Sequence, residues 1–415
     1  MKKKIILVIF ILLIILIAGG SFSFFVYQNK QEEIRIQLRE EKKKKTIKTI
    51  NSHYSSTVIT NKEAKLYDKD YKEFGSIGKD EILELGEVKI DEKTKYFYIK
   101  NLDLNISYKD VDPTEEKLTI DERYKKYLLF DLNITSKENV KLYDKSKEKV
   151  VYTLNNSIDV PVIVKDDDGV FIEYYNRLLF VKNEDIASTY DKANNTLEET
   201  NAIPVTCYHF IYLPGDNTCN EIICHSKEQI ESHFTYLTEN NYFTINTTEL
   251  RLFIEGKLRL PKNTILITID DGARAENFIP LLEQYKLNAT LFLVSSWYPK
   301  EKFASPYMEI ASHTHNLHDG GVCSYGQGGG LTCLPMDQLV DDLTKSRETL
   351  DGTEALCYPF YEFNDHSIEA LKKAGFKMGF AGGQKKATRG IDLYKIPRIT
   401  IHNSTTLNEY INFVN

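Results

Sequence analysis

Two adjacent carboxylates, Asp270 and Asp271 in "ITIDDG", and three histidines within six positions, His313, His315 and His318 in "IASHTHNLHDGG", are the residues of this 415-residue chain best suited to chemistry. The chain holds only nine histidines, so a third of them sit on one short loop. Carboxylate oxygen and imidazole nitrogen together suit hard or borderline divalent metals. Three protein ligands with one open position are the usual catalytic arrangement, because water or substrate takes the vacancy. An Asp-Asp-Gly alone also makes ordinary turns. Here it ends an apolar run, "TILITID" (264–270), so at least one carboxylate is expected to point into a site.

The elements that must hold these residues read as alternating strands and helices from about residue 199. Strands are expected over 203–211, 264–270, 289–294, 355–359 and 394–401, and helices over 226–242, 336–350 and 366–375. Ser226 and Gln229 stand in capping-box spacing at the start of the first helix. Repeated strand–helix units predict a parallel sheet, open or closed into a barrel, with the site at the C-terminal strand ends.

Upstream the pattern is different. "KLYDK" occurs at 65–69 and again at 141–145, each time followed by period-two alternation. That predicts two small β-barrels, over 56–120 and 121–198, which resemble bacterial Src-homology-3-like modules that hold cell-wall material. Residues 28–55 are charged and read as a stalk. Residues 5–27 are uncharged and follow Lys2–Lys4, which predicts a single-pass membrane anchor (1–27) with the remainder outside the cell. A net charge of −7 with no long basic stretch in the C-terminal half excludes nucleic acid as a partner. All six cysteines lie after residue 206, as suits an oxidising compartment. Cys219–Cys224 and Cys323–Cys333 are the expected disulfides, and Cys207 and Cys357, in apolar runs, the expected free thiols.

Taken in order, "IPVTCYH", "LPKNTILITIDDG", "LNATLFLV", "SHTHNLH", "LCYPF" and "IPRITI" resemble the motifs of the polysaccharide deacetylase (NodB-homology) family of carbohydrate esterases, over residues 199–415. The resemblance implies a distorted barrel of β/α units and metal-dependent removal of acetyl from N-acetylated sugars. It implies Asp270 as general base, and Asp271, His313 and His318 as ligands of a divalent ion, Zn2+ first, with Co2+, Mn2+ or Ni2+ as alternatives. In that family the second histidine ligand lies four or five positions after the first; position 317 is Leu, so the resemblance implies His318, and His315 is left over.

The third motif departs from the family pattern. Tyr358 stands where an Arg usually precedes Pro359, and Tyr361 where a Gly usually follows the aromatic Phe360. Tyr358, Pro359, Phe360 and Arg398 are expected at the substrate, with Arg398 either replacing the missing Arg from another strand or acting as a structural carboxylate partner. His402, after the last strand, is expected as general acid, and His209 as a packed residue bordering the cleft. The expected partner is a glycan, peptidoglycan first and exported poly-N-acetylglucosamine second. A wall-binding scaffold with an inactive deacetylase domain and a metal-dependent phosphoesterase are the competing readings.

Overall fold

The computed structural model describes residues 26–415 except 50, 51, 53, 55, 91–94, 120, 195, 196 and 214–220. The charged segment 26–49 is an exposed helix. The expected single-pass localisation is corrected: among the described residues no helix is long and apolar enough to cross a membrane. Residues 1–25, which carry most of the expected span, lie outside the described residues.

Residues 57–191 are all-β, as the alternation predicts. The two "KLYDK" repeats do not make separate barrels, however. Their equivalent strands, Glu73–Ile77 and Val150–Leu154, pair antiparallel (Tyr152 with Ile77, Leu154 with Gly75), so the repeats join into one twelve-stranded sheet. Each repeat leaves that strand at its edge, and an unpaired edge is most simply covered by its own kind. Gly75 permits the approach, since a Cβ there would lie 2.2 Å from the Thr153 carbonyl oxygen. One apolar core, from Val58 and Leu66 to Leu142 and Val181, runs through both repeats.

The C-terminal region is a curled parallel sheet. Its strands run in the order Met378–Phe380, Ala355–Cys357, Met308–Ser312, Ala289–Leu293, Thr264–Asp271, Val205–Tyr208, Ile399–Thr400. Every residue of Thr264–Asp271 is buried, because both faces of the sheet are covered. Ile265, Ile267 and Ile269 pack outward beneath the helices with Phe234 and Leu282. Leu266 faces the interior core with Val205 and Phe292, and by the same alternation so do Thr268 and Asp270. The expected strand 394–401 is only Ile399–Thr400. Pro397 has no N–H to give a ladder, and the chain passes instead from a bridge with Phe380 at Ile396 to pairing with Val205–Tyr208, drawing the two sheet edges together.

The β region docks at the N-terminal ends of these strands. Tyr124, Ile163 and Val164 enter the interior core beside Leu258 and Leu260. Arg123 clamps Glu249 and also donates to the Thr244 carbonyl. The opposite, C-terminal ends are left to the loops that carry the site.

Candidate active site

Asp270 and Asp271 end the central strand but take different directions. Asp270 keeps the interior face. Asp271 has φ of +74°, which turns its carboxylate out of the pleat toward the strand ends. Such a conformation in a non-glycine residue is strained and is held by its surroundings. Val294 N–H donates to the Asp271 carbonyl, and Gly272 N–H to that of Asp270. Position 272 must be glycine: φ is +107°, and a Cβ would meet Leu293 Cδ1 at 2.5 Å.

The histidine loop follows Met308–Ser312, a strand that lies beside Ala289–Leu293. His313 Nε2 lies 3.3 Å and His318 Nε2 3.1 Å from Asp271 Oδ1, and the two imidazole centroids are 4.7 Å apart. His313 Nδ1 is 2.8 Å from the Cys357 carbonyl, to which it donates, so its Nε2 presents a lone pair to the cluster. One carboxylate and two imidazoles converge with their ligand atoms within 4.8 Å of one another, an arrangement able to hold a divalent ion. Burial raises the Asp271 pKa, but the two histidines outweigh it and hold the group ionised. Burial lowers that of His318, and Asp271 more than reverses this.

His315 turns away. Its Nδ1 pairs with Ser295 Oγ at 2.9 Å, and its backbone N–H and that of Asn316 donate to the two carboxylate oxygens of Asp342. Asp342 thus sets the loop's path, with Thr314 at φ +74° making the reversal that brings His318 back over Asp271.

Beneath this cluster, Arg398 grips Asp270 in two parallel bonds, Nη1 to Oδ1 at 2.7 Å and Nη2 to Oδ2 at 2.8 Å. The pair is fully enclosed. Burial pushes the Asp270 pKa up, yet Arg398 prevails and brings it down to about 2. The Cys207 and Cys357 thiols each stand 3.5 Å from Asp270 Oδ2. They are free and buried as expected, and burial raises both thiol pKa values. The guanidinium also lies over the ring of Tyr361, whose hydroxyl reaches Cys207 Sγ.

Arg398 therefore sits on the Asp270 carboxylate, with no exposed side-chain surface of its own. Tyr358 and Pro359 are also buried. The Tyr358 ring stacks on Phe363 and its hydroxyl donates to the Tyr394 carbonyl, against Gly379. Of the four residues expected at the substrate, only Phe360 reaches the cleft, 4.8 Å from the His318 ring. It and Tyr361 have φ of +58° and +62°.

His402 is not brought to the carboxylates. Its N–H donates to Thr405 Oγ1 and its carbonyl accepts from Gln229, and its side chain makes no ion pair or hydrogen bond with Asp270 or Asp271. The histidine that does approach is His209, with Nε2 4.0 Å from Asp270 Oδ2 and its buried Nδ1 without a partner among the described residues. Burial lowers its pKa, and the carboxylates offset this only in part. The interior alternation Val205, Cys207, His209 was the signal available in the sequence.

The Cys323–Cys333 disulfide is present and closes a loop beside Phe360. Glu362 holds that loop, accepting from the N–H groups of Gln327 and Gly329. Cys224 is disulfide-bonded, while Cys219 lies outside the described residues.

Residues 257–379 match the family described as Polysaccharide deacetylase. That segment carries a polysaccharide deacetylase domain. It is thus a hydrolase of the carbohydrate-esterase type. The poly-beta-1,6-N-acetyl-D-glucosamine N-deacetylase of Staphylococcus aureus is 29% identical over 198 residues, covering 42% of this chain and 67% of that protein. Among solved structures, a de-N-acetylase from Aggregatibacter actinomycetemcomitans covers 51% of this chain and 99% of its own, at 25% identity and a TM-score of 0.44. The polysaccharide deacetylase BC0361 of Bacillus cereus covers 80% of this chain and 100% of its own, at 18% identity and a TM-score of 0.43.

Proposed function

We propose that the chain is a metal-dependent N-deacetylase of poly-β-1,6-linked N-acetylglucosamine. The observation that carries this is the convergence of Asp271, His313 and His318 directly above the Arg398-held Asp270. The similarity to the Staphylococcus aureus enzyme favours this polymer over peptidoglycan, the substrate expected from the two repeats.

A divalent ion held by Asp271, His313 and His318, with Zn2+ the first choice for this donor set, would polarise the acetamide carbonyl and lower the pKa of bound water. Asp270 accepts the proton of the attacking water, and Arg398 keeps its carboxylate ionised and immobile while it does so. The turn at the third motif uses the N–H groups of Tyr358, Tyr361 and Glu362, and Pro359 has none; the Phe360 N–H has no backbone partner among the described residues and is placed to donate to the developing oxyanion. His209, whose Nε2 lies 4.0 Å from Asp270 Oδ2, takes up the water's proton from Asp270 and passes it to the leaving amine, so that both groups return to their starting states. Its buried setting makes that proton easy to release.

The test is acetate release from poly-β-1,6-N-acetylglucosamine and from purified peptidoglycan, before and after chelation and after adding back single metals. The reading expects activity on the first polymer that chelation abolishes and one metal restores. Activity that survives complete chelation, or acetate from peptidoglycan alone, overturns it.

A further inference from the structure

The only tryptophan in the chain, Trp297, stands beside the candidate metal site, and nothing in the chemistry above uses it. Its ring is 5.1 Å from that of His318, inclined by 67°. Phe360 contacts the same imidazole from a second direction, so His318 is bracketed by two aromatic rings. Trp297 is 43% exposed.

The exposure is not that of a loose loop. The segment 295–297 is stapled to the histidine loop: Ser295 N–H donates to the Thr314 carbonyl, Ser296 N–H to that of His315, and Ser296 Oγ to Asn316 Oδ1. A further bond from Trp297 N–H to the Val294 carbonyl fixes the turn. The indole is thus a rigid apolar surface held open to water within one ring's width of the reacting centre. Preorganised aromatic anchors of this kind bind at low entropic cost. Pyranose rings present a face of C–H groups that packs on an aromatic face, while their hydroxyls stay solvated at the edge.

We infer that Trp297 is a sugar-stacking platform that binds an N-acetylhexosamine ring of the polymer next to the unit being deacetylated. The inference rests on the reading of this site as a glycan deacetylase. It assigns Trp297 to substrate binding and specificity for chain length, with no part in holding metal or moving protons. A platform beside the centre rewards a second sugar unit and gives a single unit little.

Because Trp297 is the sole indole, its emission reports on this spot alone. The metal-depleted full-length protein, which cannot turn over, is titrated with β-1,6-linked N-acetylglucosamine pentamer while binding is followed in parallel by calorimetry. A saturable emission change with the calorimetric midpoint is expected. In the metal-loaded protein, Trp297→Ala should raise KM for the pentamer by about tenfold or more, with saturated turnover falling less, and Trp297→Phe should recover most of the loss. Metal content should be equal in all three proteins. Calorimetric binding with unchanged emission, or a KM unmoved by Trp297→Ala, overturns the inference and leaves the deacetylase reading standing. Pentamer that is neither bound nor deacetylated by the unaltered protein sinks both.

Discussion

Replacing Arg398 by Met tests the centre of the site. Arg398 is wholly buried and spends both terminal nitrogens on Asp270, with further bonds to Thr268 Oγ1 and Cys357 Sγ. The lowering of the Asp270 pKa from 3.8 to about 2 corresponds to a few kcal/mol, on the order of 1.4 per unit. Removing one partner of a buried pair typically costs about 3–5 kcal/mol, since the other charge is left uncompensated. Arg398→Met should therefore cost about 3 kcal/mol at pH 7, or roughly 6–12 °C in Tm for a domain of this size. The sign with pH follows. In the unaltered protein the depressed Asp270 pKa stabilises above 3.8, and that stability is lost as pH falls toward about 2. Without the guanidinium, burial holds the Asp270 pKa above its ordinary value, so the variant's deficit should shrink at pH 4, where the carboxyl can protonate. Urea unfolding at pH 7 and pH 4 reads both effects, and acetate release should fall by about 100-fold or more. The double variant Asp270→Asn/Arg398→Met carries no charge at positions 270 and 398 and should be more stable at pH 7 than Arg398→Met alone. A double variant no more stable than the single, or a deficit equal at both pH values, would refute the account of Asp270 as a charge held by Arg398.

Metal content should separate the carboxylates and the histidines. Asp271→Asn, His313→Ala and His318→Ala should each lose the ion, and His315→Ala, whose ring is on Ser295, should retain it. Asp270→Asn should keep the ion and lose activity by about 100-fold or more; elemental analysis beside acetate release decides. His225 and His233 are buried neutral, with burial lowering them from 6.5 to about 4 and about 3. As pH falls below 6.5 the unfolded chain takes up protons that the folded one refuses, so stability should drop by roughly 2 kcal/mol per histidine by pH 5. Urea midpoints at pH 7.5 and 5 measure this, and His225→Gln/His233→Phe should flatten the difference. Cys323→Ala/Cys333→Ala opens a loop of sequence separation 10, which in the chain-entropy view costs roughly 2.5–3 kcal/mol; a thermal midpoint equal to that of the oxidised protein would contradict it.

Several features were legible in the sequence because they are local. The alternating apolar runs of the β region and the buried run ending in Asp270 and Asp271 follow from the period of a strand, whereas the preference for His318 over His315 came from the family resemblance. The Cys323–Cys333 disulfide was legible as a local feature, both cysteines lying in one polar loop. Arg398 could be recognised as a candidate partner for the unpaired third motif, but two roles remained open for it. The curled sheet placed it on the carboxylate, by bringing residue 398 under residue 270 across a sequence separation of 128. The same closure placed Cys207, Cys357 and His209 around Asp270, left His402 aside, and sank Tyr358 and Pro359 into the core. It also merged two repeats into one sheet, because edge pairing between Glu73–Ile77 and Val150–Leu154 is a contact between distant segments. Sequence alone named the residue types able to bind a metal and move a proton. Which of them meet was settled by the curvature of the sheet and the backbone reversals at Asp271, Thr314 and Phe360, since those set the direction of each side chain and no periodicity records them.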